Sequence, residues 1–133
     1  MEHEIHVAVK SDQDIVAARQ QGRSLATALG FSSSDATLIA TAISELARNI
    51  VTYAKSGEIR IAAVDGSGRQ GIQIAAHDHG PGISDIALAL RDGFSTSGSL
   101  GLGLGGVKRL VDEFEIVSEV NRGTRVTATK WRF

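Results

Sequence analysis

Two polar side chains, Glu45 and Asn49, lie four residues apart in a segment whose apolar residues recur with helical spacing. Residues four apart lie on the same face of a helix, so their side chains point in a similar direction. A carboxylate at such a place can accept a proton, and an amide oxygen is a suitable ligand for a hard cation such as Mg²⁺. The same spacing is also typical of a solvated helix flank, so this pair alone leaves both interpretations open.

A third polar residue, Asp78, begins the sequence DHGPG at the end of an alternating, strand-like pattern. It continues the two-residue spacing of three apolar residues: Ile72, Ile74 and Ala76. We therefore expect Asp78 on the inward face of the strand, where a charged group needs hydrogen-bond donors. A Gly-Pro-Gly turn supplies backbone donors, which favours a structural role. Gly80 and Gly82 also remove side chains beside the carboxylate, as a flat stacked ligand requires.

The sequence GLGLGG, residues 101–106, runs directly into the helical pattern of VKRLVDEF. Bare backbone amides at the start of a helix form an anion site, for which phosphate is the natural ligand. A dinucleotide site is not indicated, because the G-x-G-x-x-G spacing here follows a loop rather than a strand. A flexible hinge is the alternative interpretation.

The elements that position these residues follow from the periodicity of the apolar side chains. The first helix is expected to follow the capping residues 11–12 and run to residue 29, and the second to follow the capping cluster 32–35, with apolar positions from 39 to 50. Further helices are expected at 85–90 and 107–112, and strands at 5–9, 58–64, 71–77, 114–120 and 124–131. Eight of the 15 glycines fall in residues 80–106, which predicts irregular backbone rather than core for this segment. This order of elements predicts an α+β two-layer sandwich, with a mixed, mostly antiparallel sheet and helices on one face.

Composition excludes several classes of protein. The chain has 133 residues and no cysteine, which excludes disulfides, thiolate catalysis and cysteine-bound metals. Its formal net charge of −1 gives no indication of nucleic-acid or anionic-membrane partners. The acidic N-terminal sequence is unlike a signal peptide, and no apolar run reaches the ~20 residues of a membrane span. We expect a single cytoplasmic domain over residues 1–133.

Taken in order, SELARN, DHGPG and GLGLGG resemble the N-box, the D-x-G-x-G box and the second glycine box of the GHKL superfamily, whose members share the Bergerat ATP-binding fold. The size of the chain and the segments DIVAARQQGR, ISELARNI, DGFSTSG and GVKRLVDEF are most similar to the small serine/threonine kinases of bacterial stressosomes, which are related to the anti-sigma-factor kinases. The resemblance implies ATP and Mg²⁺ as cofactors.

The resemblance also implies a role for each matching residue. Asn49 would bind Mg²⁺, Glu45 would be the catalytic base, and Asp78 would accept a hydrogen bond from the adenine amino group. Gly80 and Gly82 would admit the adenine ring. The phosphates would be lined by Gly101, Gly103 and Gly105, and residues 95–100 would belong to a lid over ATP.

The implied partners are STAS-domain stressosome proteins as substrates and a PP2C-type phosphatase regulator that the kinase activates; a homodimer is left open. Two other functions remain. A non-catalytic, anti-sigma-like module would bind nucleotide without transferring phosphate. A detached ATPase or histidine-kinase catalytic domain would release phosphate or label a histidine.

Overall fold

The computed structural model describes residues 4–82 and 103–132, and these form one antiparallel sheet with helices against it. The strands are β1 (Glu4–Val9), β2 (Gly57–Gly66), β3 (Arg69–Asp78), β4 (Glu113–Glu119) and β5 (Gly123–Arg132). Their spatial order is β1-β2-β3-β5-β4, and every neighbouring pair is antiparallel. The predicted α+β sandwich is confirmed, and the described part of the sheet is wholly antiparallel rather than mixed.

In the described residues, two long helices and one short helix accompany the sheet. They are α1 (Asp12–Ala28), α2 (Ser33–Asn49) and α3 (Gly103–Leu110), and a single π-helical turn over Ile50–Ala54, hereafter the π turn, extends α2. Local chemistry sets the ends of the long helices. The Ser32 hydroxyl accepts the Asp35 N–H at 3.1 Å and caps α2, while Gly30, at a φ of +90°, allows the chain to reverse after α1.

The core lies between the helices and one face of the sheet. Alternate strand residues supply the sheet side of this core and are almost fully buried: Val9, Ile59, Ile61, Ile72, Ile74, Val126 and Ala128. The apolar stripe of α2 supplies the other side, with Ile39, Ile43 and Leu46 at most 1% exposed. Because α2 contacts both β2 and β3, the core fixes this helix relative to the two central strands.

The second glycine segment departs from its expected structure. Residues 103–106 were expected to be irregular, with a helix from Val107 to Asp112, but α3 begins at Gly103 and ends at Leu110. Leu104, Gly105 and Gly106 are buried, and α3 packs against α2. Glycine is a poor helix former, and here the packing of the helix outweighs its intrinsic preference. The helix expected at 85–90 lies outside the described residues.

No helix within residues 4–82 and 103–132 combines the length and the apolar character that a bilayer crossing requires.

Candidate functional site

Glu45 and Asn49 occupy the last two turns of α2. Glu45 is buried, with 9% of its surface exposed, and Asn49 is half-buried at the final residue of the helix. Within the described residues, neither side chain has a hydrogen-bond or ion-pair partner, and no fully buried polar atom is left unsatisfied. The Glu45 carboxylate oxygens therefore still reach solvent. A solvated helix flank is the wrong description of Glu45, because the surrounding residues enclose its stem and leave its charged end available.

The π turn connects this end of α2 to the sheet. Ile50, its first residue, is 2% exposed and lies against the strand pair formed by Gly57 and Asp78. A Cβ atom at Gly57 would lie 2.8 Å from Ile50 Cγ2 and 3.1 Å from the Asp78 Cβ. Asn49 is therefore one residue away from a side chain that packs beside Asp78, so the first two sequence motifs meet at the π turn.

Asp78 is the last residue of β3 and lies half-buried on the helix-covered face, as predicted. Its Oδ1 accepts the backbone N–H of Gly80 at 2.9 Å, which is the turn contact expected of Asp before Gly-Pro-Gly. Among the described residues, Oδ2 has no hydrogen-bond partner. One oxygen therefore holds the turn, and the other is available to a ligand.

The two glycines of the 78–82 loop face protein atoms. A Cβ at Gly80 would lie 2.5 Å from the Ala54 Cβ, and one at Gly82 would lie 2.2 Å from the Glu119 carbonyl oxygen. Gly82 also has a φ of +77°, which disfavours other residues. Part of the space that the sequence suggested for a ligand is thus filled by the π turn and by the tip of the β4–β5 hairpin, residues 119–123.

We predict that Gly80→Ala lowers stability because its methyl group would overlap Ala54 in the π turn. Overpacking of this kind costs about 1–3 kcal/mol, and we expect a melting temperature several degrees below that of the wild type. Adding Ala54→Gly to the same chain should recover part of the loss beyond the sum of the single effects. A melting temperature equal to that of the wild type would show that the loop can move away from the π turn.

The hairpin tip completes this end of the site. Asn121 N–H donates to the Pro81 carbonyl oxygen at 2.8 Å. Gly123 has a φ of +116°, and a Cβ there would lie 2.1 Å from the Asp78 carbonyl oxygen. The 78–82 loop is therefore held between the π turn on one side and the hairpin tip on the other.

Two hydroxyl residues that the sequence motifs did not indicate lie on the same sheet row as Asp78. Thr124 is directly opposite Asp78 on β5, and Ser118 is directly opposite Thr124 on β4. Directly opposed residues of an antiparallel sheet project on the same face, so Gly57, Asp78, Thr124 and Ser118 form one row, hereafter the polar row. The signal for Thr124 is its place just after the predicted hairpin turn, but using it requires the register between strands.

The start of α3 provides the third part of the site. Gly103 is its first residue and Gly105 is buried in its first turn, and the first four N–H groups of any α-helix have no partner within the helix. These amides lie at the end of a helix that packs against α2, which carries Glu45 and Asn49. Gly101 and residues 95–100 lie outside the described residues.

Residues 4–82 and 103–132 contain no group of three His, Asp or Glu side chains that could hold a metal ion. Asn49 is half-buried with an uncommitted amide, which fits a cation that takes most of its ligands from phosphate oxygens and water, as Mg²⁺ does.

Comparison with known proteins decides the family. The family model of the histidine kinase-like ATPase domain matches residues 9–130. The chain belongs to the histidine kinase-like ATPase family. Membership in this family implies that the chain binds ATP.

The relatives narrow the class within this ATPase family. The chain is 54% identical to the serine/threonine-protein kinase RsbT of Bacillus subtilis (strain 168) over 94% of each chain. It is 33% identical to the anti-sigma F factor of Thermoanaerobacter sp. (strain X514), covering 70% of this chain and 68% of the relative. The chain is therefore a protein serine/threonine kinase of the histidine kinase-like ATPase family, related to regulators of partner switching, as the sequence predicted.

Two solved structures share the fold of this histidine kinase-like ATPase. The RsbU and RsbW domains of a Mycobacterium tuberculosis protein match 98% of the chain, with a TM-score of 0.68 and 22% identity, and the chain spans 33% of that longer protein. The SiaB–SiaC complex of Pseudomonas aeruginosa matches 98% of this chain and 89% of that one, with a TM-score of 0.56 and 14% identity. At these identities the likeness establishes the fold.

Proposed function

We propose that this kinase transfers the terminal phosphoryl group of Mg-ATP to a serine or threonine of a STAS-domain protein in a bacterial stress-response module. The observation that carries the proposal is the state of Glu45, a buried carboxylate that has no partner among residues 4–82 and 103–132 and whose oxygens still reach solvent. It lies one helical turn from Asn49, which adjoins the π turn that packs beside Asp78.

In this proposal, different elements of the site contact different parts of ATP. Asp78 Oδ2 accepts a hydrogen bond from the adenine amino group, while Gly80 and Gly82 shape the adjacent backbone. The backbone N–H groups at the start of α3, including those of Gly103 and Gly105, donate to phosphate oxygens. Gly101 extends this phosphate contact on the evidence of the sequence motif.

Asn49 and Glu45 act at the reacting end. The Asn49 amide oxygen holds Mg²⁺, which, when bound, neutralises charge on the transferred phosphoryl group. Glu45 orients the attacking hydroxyl of the partner protein and accepts its proton as the new O–P bond forms and the bond between the γ-phosphorus and the bridging oxygen breaks, releasing ADP. The exclusion of most solvent around the Glu45 stem strengthens both interactions, because charges interact more strongly away from water.

The proposal extends to the proteins with which the kinase interacts. We propose one ATP-binding domain over residues 1–133 that works in the cytoplasm, phosphorylates STAS-domain stressosome proteins and activates a PP2C-type phosphatase when it is released from them. A homodimer is compatible with this assignment. The sequence similarity to an anti-sigma factor and to RsbT supports a role in partner switching, in which one protein binds different partners in turn.

The test is a phosphotransfer assay with γ-labelled ATP, Mg²⁺ and a purified STAS-domain protein from the same genome. We expect an acid-stable label on the STAS protein, located on serine or threonine by mass spectrometry. Stable nucleotide-dependent binding without any label would favour the anti-sigma-like module. Free phosphate alone, or an acid-labile label on histidine, would instead favour a detached ATPase or histidine-kinase domain.

A further inference from the structure

Arg48 lies next to the proposed catalytic pair on α2. It belongs to the last turn of the helix and is half-buried, and its guanidinium makes no hydrogen bond or ion pair with residues 4–82 and 103–132. Glu45 lies three residues earlier, a spacing that brings the Cβ atoms of helical residues to about 5–6 Å from each other. Opposite charges so placed normally attract, yet these two side chains do not form an ion pair. Both charged groups are therefore available to a binding partner.

A favourable interaction with the end of a helix does not account for Arg48. Cations are common in the last turn of a helix, where carbonyl groups lack donors. At the end of α2, however, the Ile50 N–H bonds to the carbonyl oxygens of Leu46 and Ala47, and the π turn continues the helical backbone to Ala54. Arg48 thus lies more than one turn before that backbone ends, where the effect of the helix dipole is small.

Glu45 lies between Arg48 and Asn49 around the axis of α2. At 100° per residue, Arg48 is about 60° to one side of Glu45 and Asn49 is about 40° to the other side. Asn49 is the residue proposed to hold Mg²⁺ beside the phosphates. Arg48 therefore lies on the side of Glu45 remote from Asn49, which is the side left for the acceptor protein.

The surface that leads to Arg48 is uncharged and consists of short side chains. Thr37, Thr41 and Ser44, hereafter the hydroxyl stripe, precede Arg48 at helical spacing and share its face of α2. Each of the three hydroxyls donates at 2.9 Å to the carbonyl oxygen four residues earlier. Because these protons are committed to the helix, Arg48 is the charged donor that this face of α2 offers to a partner.

We propose that Arg48 binds a carboxylate of the acceptor protein and thereby positions the acceptor hydroxyl against Glu45. This inference rests on the proposed function, in which Glu45 accepts the proton of that hydroxyl. A guanidinium presents its N–H donors in a planar fork that fits a carboxylate with two parallel hydrogen bonds, and the two charges are complementary. The hydroxyl stripe carries no charged side chain, so the surface of the acceptor protein can approach α2 closely beside this contact.

The test measures phosphotransfer from Mg-ATP to the purified STAS-domain protein and equilibrium binding of ATP to the full chain. Arg48→Met removes the charge and keeps an apolar stem. We expect it to raise the KM for the STAS protein about 10- to 100-fold, the range of a lost hydrogen bond to a charged group, with kcat and ATP affinity near those of the wild type. Arg48→Lys keeps the charge without the fork and should raise KM less.

Arg60→Gln is the matched control, because Arg60 is an exposed arginine on the other face of the sheet and is paired with Glu58. It should alter neither KM nor ATP affinity. Unchanged ATP affinity also shows that a variant is folded, and Arg48→Gln takes the place of a methionine variant that fails to fold.

Wild-type kinetics in Arg48→Met would overturn the inference. A fall in kcat at unchanged KM would do the same, because it would assign Arg48 to the transferred phosphoryl group. If the wild-type kinase does not label the STAS protein at all, the proposed function fails as well; if it does so and the Arg48 variants match it, only the role of Arg48 fails.

A double-mutant cycle locates the carboxylate that Arg48 binds. Each Asp and Glu of the STAS protein is changed in turn to its amide, and the effect on KM is measured with the wild-type kinase and with Arg48→Met. We expect one position at which the two changes are not additive. Additive effects at every acidic position would contradict the proposal.

Discussion

Glu45→Gln should bind Mg-ATP with nearly wild-type affinity and transfer phosphate about 10²–10⁴-fold more slowly, the range typical of a lost general base. Glutamine has almost the volume of glutamate, so the side chain at position 45 can remain buried. The amide cannot accept the proton of the attacking hydroxyl. Single-turnover transfer to the STAS-domain protein and equilibrium binding of ATP measure the two effects separately.

A matched carboxylate on the other face of the sheet controls for the loss of charge. Glu58 lies half-exposed on β2 and accepts a hydrogen bond from Arg60 at 3.0 Å, which lowers the pKa of its carboxyl. Glu58→Gln should leave both ATP binding and transfer unchanged, since exposed ion pairs contribute little to stability. If Glu45→Gln transfers phosphate at the wild-type rate, Glu45 is not the base.

Asp78→Asn should weaken ATP binding by about 10- to 150-fold, which corresponds to the loss of a charge-assisted hydrogen bond worth roughly 1.5–3 kcal/mol. The asparagine oxygen can replace Oδ1 and still accept the Gly80 N–H, so the turn and the fold should persist. The amide nitrogen would then take the place of Oδ2 and present a donor to the amino group of adenine. Because that nitrogen suits the carbonyl group of guanine, the preference for ATP over GTP should narrow.

Isothermal titration with ATP and GTP, together with thermal unfolding of the nucleotide-free protein, measures these effects. Asp65→Asn, an exposed carboxylate near the end of β2, is the matched control and should change neither affinity. A fall in melting temperature with unchanged ATP affinity would assign Asp78 to the turn alone.

Elements with a strong apolar period could be predicted well from the sequence. The first long helix was expected to run from the capping residues 11–12 to Leu29, and the second to follow the capping cluster 32–35 and extend to Ile50. They occur at Asp12–Ala28 and Ser33–Asn49, because the buried stripes decide their type and the capping residues decide their ends. α3 was harder to place. Its first turn consists largely of glycine, and it is helical because Leu104 and Val107 are buried against the rest of the core, a tertiary effect that local preference cannot report.

Some features of the site could likewise be predicted from the sequence, and others depend on tertiary structure. The three motifs were recognisable from residue types and spacing, and in the structure Ile50, which follows Asn49, lies close to Asp78. Thr124 and Ser118 could not be recognised in this way, because their relation to Asp78 exists only in the register of β3, β5 and β4. The glycines of the 78–82 loop were expected to make room for a ligand, whereas Ala54 and Glu119 also require them.

The clamping of the 78–82 loop between the π turn and the hairpin tip bears on the thermodynamics of nucleotide binding. A loop already held by the Asn121–Pro81 hydrogen bond loses its conformational freedom when the chain folds, so little further ordering entropy is lost there when adenine arrives. The Asn121 amide should accordingly exchange its hydrogen slowly with solvent even in the nucleotide-free kinase. The proposed adenine end of the site is thus preorganised, and any ordering of the chain on nucleotide binding should take place mainly elsewhere.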